Sequence, residues 1–347
     1  MSVLAGHWAG RGHDVSLATF EPASTDFFPS DGRVRRVVVG GSGPVGAGWF
    51  RANNDRLRAL RDAVRSTQPD VVLSFLYTMN LLTIAATRGL DTPVVVAERT
   101  DPRRFPIEWW QSALRRGLYP AANALVVQTQ EVLEGWARRM TRKSRAFAIP
   151  NPVLPPASMP WQGVPLPKPF VASVGRLERG KGFDVLVAAF AQIAPQHPEW
   201  SVVILGEGPE RESLRAQAQR LGVGDRLLLP GIGDSGAVLA EAEVFATATR
   251  FEGFPNSLLE AMANGLPVVA TDCHSGPSEI VRHGIDGYLV PVDDAAALAA
   301  PLDGLLRDER RRRRLGENAR DVVERFSIDS VAPLWEDVFT RLSHGRV

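Results

Sequence analysis

Short apolar runs alternate with helix-like segments from one end of this 347-residue chain to the other. In the first half, strands are predicted at 14–20, 34–39, 70–76, 93–98 and 123–128, with helical patterns between them, as at 53–67 and 79–88. In the second half, strands are predicted at 170–175, 201–205, 226–229, 243–248 and 266–271. Continuous apolar strands separated by helices belong to parallel sheets covered on both faces. The two series are parted by PNPVLPPASMPWQGVPLPKP, residues 150–169, which holds eight prolines in twenty positions. Neither a helix nor a central strand tolerates that density, and the stretch reads as a semi-stiff extended connection. The fold class is therefore α/β, with two Rossmann-like doubly wound domains. The expected division is a first domain over 1–150, a linker over 151–169, a second domain over 170–327 and a final helix over 328–347 packing back on the first domain. Ligands of such sheets bind beyond the carboxyl ends of the strands, so the two halves are expected to face one cleft.

The opening helix, Ser2–Gly10, feeds the strand at Asp14 with no strand ahead of it. A doubly wound domain begins strand, glycine loop, helix. The expectation is a first strand and loop encoded upstream of Met1, roughly 15–25 residues in all.

Cys273 is the only cysteine, and the six histidines show no ligand spacing. A disulfide framework and a zinc cluster are excluded, and no Asp-x-Asp loop offers a metal site, so no metal or other cofactor is expected. The lone cysteine favours a reducing compartment. Without an apolar run of membrane-spanning length or a recognisable leader, a cytoplasmic location follows, peripheral at the inner face of the cell membrane if the basic half meets lipid. Residues 1–150 hold 20 Lys+Arg against 13 Asp+Glu, and the remainder 20 against 26. A first half at +7 beside a second at −6 suggests an anionic partner for the former, although drift in the sign of solvated helix faces gives the same numbers.

Chemistry concentrates in the second half. In VGRLERGKGF, residues 174–183, a strand ends at Gly175 and is followed by Arg176 and Lys181, two cations where a doubly wound sheet binds its ligand. Arginine offers phosphate a planar fork and lysine a compact charge. LGEGPE, residues 205–210, lacks the third glycine of a dinucleotide fingerprint, because Arg211 stands there. In FEGFPNSLLEAMANGLPVVATD, residues 251–272, Glu252 precedes a helix opening at Asn256, and Glu260 lies within it among Leu258, Leu259, Ala261 and Met262. Asn256 is expected to cap that helix, leaving the N–H groups of Ser257 and Leu258 free for an anion. Ser275 and Gly276 form a second polar turn ahead of a helix predicted over 279–283. Carboxylates beside a phosphate site are repulsive unless they accept from hydroxyls. The pair Glu252 and Glu260 therefore suggests sugars on both sides of a diphosphate, a ribose and a transferable hexose.

The run GRLERGKG, the Glu-x7-Glu pair and TDCHSGPSEI resemble the retaining glycosyltransferases of sequence family 4, which have the GT-B fold. The wording is most similar to the branch that adds N-acetylhexosamine or hexose units to lipid-linked or capsular glycans. The resemblance implies that Glu260 bonds the ribose, that Glu252 contacts the donor sugar and that Arg176 and Lys181 hold the diphosphate. It also implies retention of anomeric configuration, by a front-face or a covalent route. Many relatives carry a histidine after the fourth strand of the first domain. Here VVVAERTDPRR puts Glu98 and Arg99 at that point, as sugar-side residues or, for Glu98, a strand-end acceptor.

RFPIEWWQSALRRGLYP, residues 104–120, interleaves Phe105, Trp109, Trp110 and Tyr119 with Arg104, Arg115 and Arg116, and WARRMTRKSR at 136–145 adds further cations. That mixture suits an anionic membrane surface, and equally a core position for either tryptophan. Nucleic acid is a poorer partner for a near-neutral chain without its motifs. The arginines of 308–314 suit a solvated helix face. Three functions are compatible with these residues. The first is a transferase from a nucleoside diphosphate sugar, uridine-linked, to a glycan or polyprenyl-linked glycan. The others are an epimerase or hydrolase of the same fold, and a non-catalytic nucleotide or glycan binder.

Overall fold

The structure, a computed structural model, describes residues 1–22, 31–40, 49–104, 107–141, 145–156 and 160–343. The chain forms two compact units, one of Met1–Pro150 with Ile328–Val347 and the other of Asn151–Ser327. Phe105, residues 142–144 and His344 lie outside the described residues.

In the first unit, β1 (Ser16–Thr19) pairs in parallel with β2 (Arg35–Val38). A four-stranded parallel sheet follows, made of β3 (Val72–Phe75), β4 (Val94–Ala97), β5 (Ala124–Val127) and β6 (Ala146–Ala148) in that order. The helices are α1 (Ser2–Gly10), α2 (Trp49–Thr67), α3 (Tyr77–Thr87) and α4 (Trp109–Leu118). The central strands β4 and β5 are buried at every position, as continuous Val/Ala/Leu runs covered on both faces must be. In α1, Leu4 and Ala5 are the buried residues, while Trp8 meets Phe339 edge-on at 5.4 Å.

The second unit holds one six-stranded parallel sheet. Its strands are β7 (Phe170–Val174), β8 (Ser201–Leu205), β9 (Leu227–Gly231), β10 (Val244–Thr247), β11 (Val268–Thr271) and β12 (Gly287–Val290). The spatial order is β12-β11-β10-β7-β8-β9. Numbered from β7, this is 3-2-1-4-5-6 read from the other edge, the order of dinucleotide-binding domains. The chain reverses direction across the sheet between β7 and β10, so their carboxyl ends define the crevice where such sheets take ligands. Its helices include α5 (Phe183–Ile193), α6 (Arg211–Arg220), α7 (Ser235–Glu241), α8 (Asn256–Ala263), α9 (Pro277–Ile280), α10 (Ala295–Arg307) and α11 (Glu309–Ala319).

Two strands are additional to the sequence reading. β6 is only three residues long, and β12 opens with Gly287 directly after a tight turn at 284–286, which obscures its start. The helix predicted over 279–283 instead spans Pro277–Ile280. The Asp286 carboxylate accepts from the backbone N–H of Arg282 at 2.8 Å and from its guanidinium at 2.6 Å, drawing residue 282 out of the helical path.

The last helix, α12 (Ile328–Ser343), belongs to the first unit. Its Trp335 is fully buried, with ring centroids 5.9 Å from Phe75 and 6.4 Å from Phe339. Trp335→Ala is expected to destabilise the first unit by about 3–5 kcal/mol, the usual range for a large aromatic removed from a core. Denaturant titration, with tryptophan fluorescence and circular dichroism as probes, checks this.

Candidate functional site

The carboxyl end of β7 continues into Gly175, Arg176 and a 3-10 turn over Arg179–Lys181, and Gly182 then opens α5. Gly182 has φ +64°, and a Cβ there would lie 1.9 Å from the carbonyl oxygen of Ala248. No other residue fits, and the turn can therefore lie directly on the segment leaving β10. That contact brings Lys181 to Glu252, and the two side chains form a short ion pair. Both are largely covered, the lysine 27% and the glutamate 18% exposed. The Thr249 hydroxyl lies 3.3 Å from the same Glu252 oxygen. Arg176 stands apart, exposed, with its guanidinium 3.6 Å from Glu178.

Pro255, not Asn256, occupies the N-cap of α8. Asn256 is the first helical residue, and its side-chain oxygen accepts from the Asn151 amide at 2.6 Å. Asn151 also donates to the Phe254 carbonyl at 3.3 Å, a second tie on this entry. The correction has a local cause, since proline sets the extended backbone at 255 while the Asn256 side chain is engaged sideways. The first bond along the helix runs from Leu259 N–H to Pro255 O, so the N–H groups of Asn256, Ser257 and Leu258 belong to its free end.

Ser275, expected as a donor contact, is 2% exposed and donates to the Glu252 carbonyl at 2.6 Å. It holds the backbone of the acidic residue. Gly276 has φ +97°, with the Gly253 carbonyl and Pro255 ring each 2.8 Å from where a Cβ would stand. The two turns meet there closely enough to exclude any side chain.

Glu260 lies on α8, and its carboxylate accepts from the Ser235 hydroxyl at 3.0 Å. Burial pushes its pKa up, the Ser235 bond lowers it and the charge of Asp234 raises it again. Ser235 begins α7 behind Asp234, whose side chain caps that helix. The sequence reading did not single out Ser235, Thr249, Arg250 or Asn151. Asp234 before GAVLA is an N-cap signal, and Thr249-Arg250 follow a predicted strand end, where ligands bind. Burial pushes the Cys273 thiol up to about 12, which leaves it an inert core group.

In the first unit, Glu98 follows β4 and is 3% exposed. The Tyr119 hydroxyl donates to it in a short bond, and the Arg115 guanidinium stands 3.8 Å away and 4.9 Å over the Trp136 ring. Asn80 donates to the Tyr119 oxygen at 3.2 Å. Glu98 is thus a strand-end acceptor tying α3, β4 and α4 together. The Arg99 guanidinium lies 5.2 Å over Phe75, and burial pushes it down to about 10. Tyr119 and Arg115 are core residues, whereas Trp109 is 80% exposed.

Residues 158–322 match the family model for glycosyl transferases group 1, and residues 1–152 that for the glycosyl transferase 4-like domain. Between them the two matches span nearly the whole chain, and the two parallel α/β units have the GT-B fold of glycosyltransferases. It is 33% identical, over 99% of its length, to an exopolysaccharide phosphotransferase of Streptomyces coelicolor, but spans only 39% of that protein. It is 28% identical over 80% of its length, and 76% of the relative's, to a Campylobacter jejuni alpha-1,4-N-acetyl-D-galactosaminyltransferase named for a PP-undecaprenol-linked glycan. The fold matches a sucrose-phosphate synthase from Thermosynechococcus elongatus, with TM-score 0.85, 21% identity and coverage of 99% of this chain and 92% of the other. It also matches Anabaena HepE in complex with UDP, with TM-score 0.80, 18% identity and coverage of 98% and 94%.

Burial is the largest influence on Glu98 and pushes it up to about 7, against the lowering effects of Tyr119 and Arg115. The folded unit favours the neutral acid. The stability this brings is complete below the ordinary value of 4.5 and is lost as pH rises through about 7. Glu98→Gln keeps an acceptor for Tyr119 without the charge. Between about pH 5 and pH 8, wild-type stability is expected to fall relative to this variant by on the order of 3 kcal/mol, at ~1.4 kcal/mol per pKa unit. Thermal melts of both proteins across that range check the direction and the size.

Proposed function

We propose that the second unit binds a nucleoside diphosphate sugar, uridine-linked, and that the protein transfers its hexose or N-acetylhexosamine to a glycan or polyprenyl-linked glycan with retention. The observation that carries this reading is the Lys181–Glu252 pair at the β7/β10 crossover, beside the free end of α8. In the reaction the bond from the anomeric carbon to the diphosphate oxygen breaks, and negative charge grows on the departing phosphate. Lys181, Arg176 and the N–H groups of Asn256, Ser257 and Leu258 would stabilise that charge, with Gly175 and Gly276 allowing close backbone approach. These groups supply positive potential without a metal ion. Glu252 would hold a hydroxyl of the migrating sugar, and Glu260, steadied by Ser235, the ribose hydroxyls. The Campylobacter relative's name supports a lipid-linked acceptor, and the UDP in the HepE complex supports the nucleotide. The basic first unit would meet the acceptor's anionic surroundings.

The direct test uses radiolabelled UDP-hexose and UDP-N-acetylhexosamine, with and without membrane extract. Label is expected in the lipid-linked or polysaccharide fraction only when extract is present. Consumption without extract would favour a hydrolase or epimerase, and no consumption a binding protein. Lys181→Ala should lower turnover roughly 10²-fold, the scale of one preorganised stabiliser of transition-state charge. Glu260→Gln should mainly weaken UDP binding in calorimetry, and Glu252→Gln should mainly lower turnover. Equal loss of UDP affinity in both would overturn the division of roles.

The exposed Trp109 and Leu114, with Arg104 and Arg116 also exposed, support peripheral contact with an anionic inner membrane face. Co-sedimentation with phosphatidylglycerol vesicles is expected, weakening as salt rises. Binding indifferent to salt would remove this part of the reading.

A further inference from the structure

Arg250 follows Thr249 on the segment leaving β10, two residues before Glu252. Its side chain is 19% exposed and makes an unusually complete set of bonds. Nη1 and Nη2 grip the two oxygens of Asp184 at 2.9 and 2.8 Å, as a two-pronged fork. Nε donates to Asp293 at 2.6 Å, and Nη1 donates also to the Arg179 carbonyl. Four of the five N–H groups of a guanidinium are thereby used. Asp293, a non-glycine residue at φ +60°, is held in a sparsely populated backbone region where it meets Arg250.

The turn that Arg250 grips is the one bearing Lys181. Among the described residues it spans three positions and has no side-chain cap. Its carbonyls face the Thr249–Arg250 segment: Gly180 O accepts from the Arg250 N–H at 2.8 Å and from the Thr249 hydroxyl at 3.2 Å, and Arg179 O accepts from the guanidinium. A lysine ammonium is a point charge on a flexible four-carbon stem, so its location is only as definite as the backbone beneath it. Asp184 lies in the first turn of α5, two residues beyond Gly182, so the fork fixes both sides of the turn.

We propose that Arg250 is a positioning residue that sets Lys181 against Glu252 by clamping the Arg179–Gly182 turn between Asp184 and Asp293. The proposal rests on the donor-site reading of Lys181. Arg250 touches no substrate in it and acts only through the lysine. Lysine at position 250 could not replace it, because three rotatable donors on one atom cannot span Asp184, Asp293 and a carbonyl together.

The test is a double-substitution cycle on the full chain, with Arg250→Lys, Lys181→Ala and the pair, read by UDP calorimetry, turnover and thermal melts. UDP binding by the wild type, and its weakening in Lys181→Ala, tests the donor reading on its own. Given that, Arg250→Lys is expected to weaken UDP binding several-fold and to lower turnover about 10- to 10²-fold, the scale of a reacting group misplaced by about 1 Å. In the Lys181→Ala background it is expected to have no further effect on either quantity beyond about twofold. Losses that multiply in the double variant would show Arg250 acting independently of Lys181 and would overturn the proposal, as would wild-type behaviour of Arg250→Lys. Should Arg250→Lys fail to fold, Asp293→Gly serves instead. Glycine suits the positive φ, so the melt should be retained while UDP affinity and turnover fall in the same non-multiplying way.

Discussion

The second unit depends on one close approach of backbone to backbone. Where Gly182 lies on the carbonyl of Ala248, the turn after β7 and the segment after β10 come within a distance that no side chain would permit. These are the two strand ends between which the chain reverses its direction of travel across the parallel sheet. The approach converts a topological property, a gap between neighbouring carboxyl ends, into a chemical one. Lys181 comes from one side and Glu252 from the other, with Thr249 and Arg250 bonding across the seam. Remove the contact and Lys181 is no longer held against Glu252 at the head of the segment that leads into α8.

The two units treat their buried carboxylates differently, and the difference follows from their neighbours. Glu98 is enclosed by Tyr119, Arg115 and Asn80, with its first partner a phenol, and burial favours its neutral form. Its surroundings complete a packing tie between helices and a strand. Glu252 keeps an ammonium as partner and retains some exposure. A carboxylate whose partner is a flexible lysine can exchange that partner for a ligand at modest cost, whereas removing Tyr119 from Glu98 would strand two buried polar groups.

Much of this was legible in the sequence, for identifiable reasons. Strands such as 201–205 read correctly because an unbroken SVVIL run is buried on both faces, and the proline block between the halves breaks the alternation of strands and helices. Lys181 and Glu252 could be named because they follow strand ends in a parallel α/β pattern. What escaped was whatever depended on contacts distant in sequence. Ser235 lies 25 residues from Glu260, and Asn151 lies 105 from Asn256. Nothing local to Asn256 reveals that its side chain is already engaged, so it was expected as a cap. Ser275 misled similarly, since a serine in a polar turn reads as a free hydroxyl until the Glu252 carbonyl is found beside it.

An acid next to a proposed phosphate site raises an electrostatic objection, and the geometry answers it. At a few ångströms, like charges near a protein surface repel by about 4 kcal/mol at an effective dielectric of 20, enough to exclude a diphosphate from an isolated carboxylate. Glu252 is not isolated, because Lys181 neutralises it and Thr249 adds a polar neighbour to the same oxygen. Glu260 is separated from that pair by its place inside α8, and its carboxylate already accepts from the Ser235 hydroxyl. The field near the free end of α8 is thus set by the helix amides more than by the two acids. In the proposed donor reading, each acid is left to accept a hydrogen bond from a sugar hydroxyl.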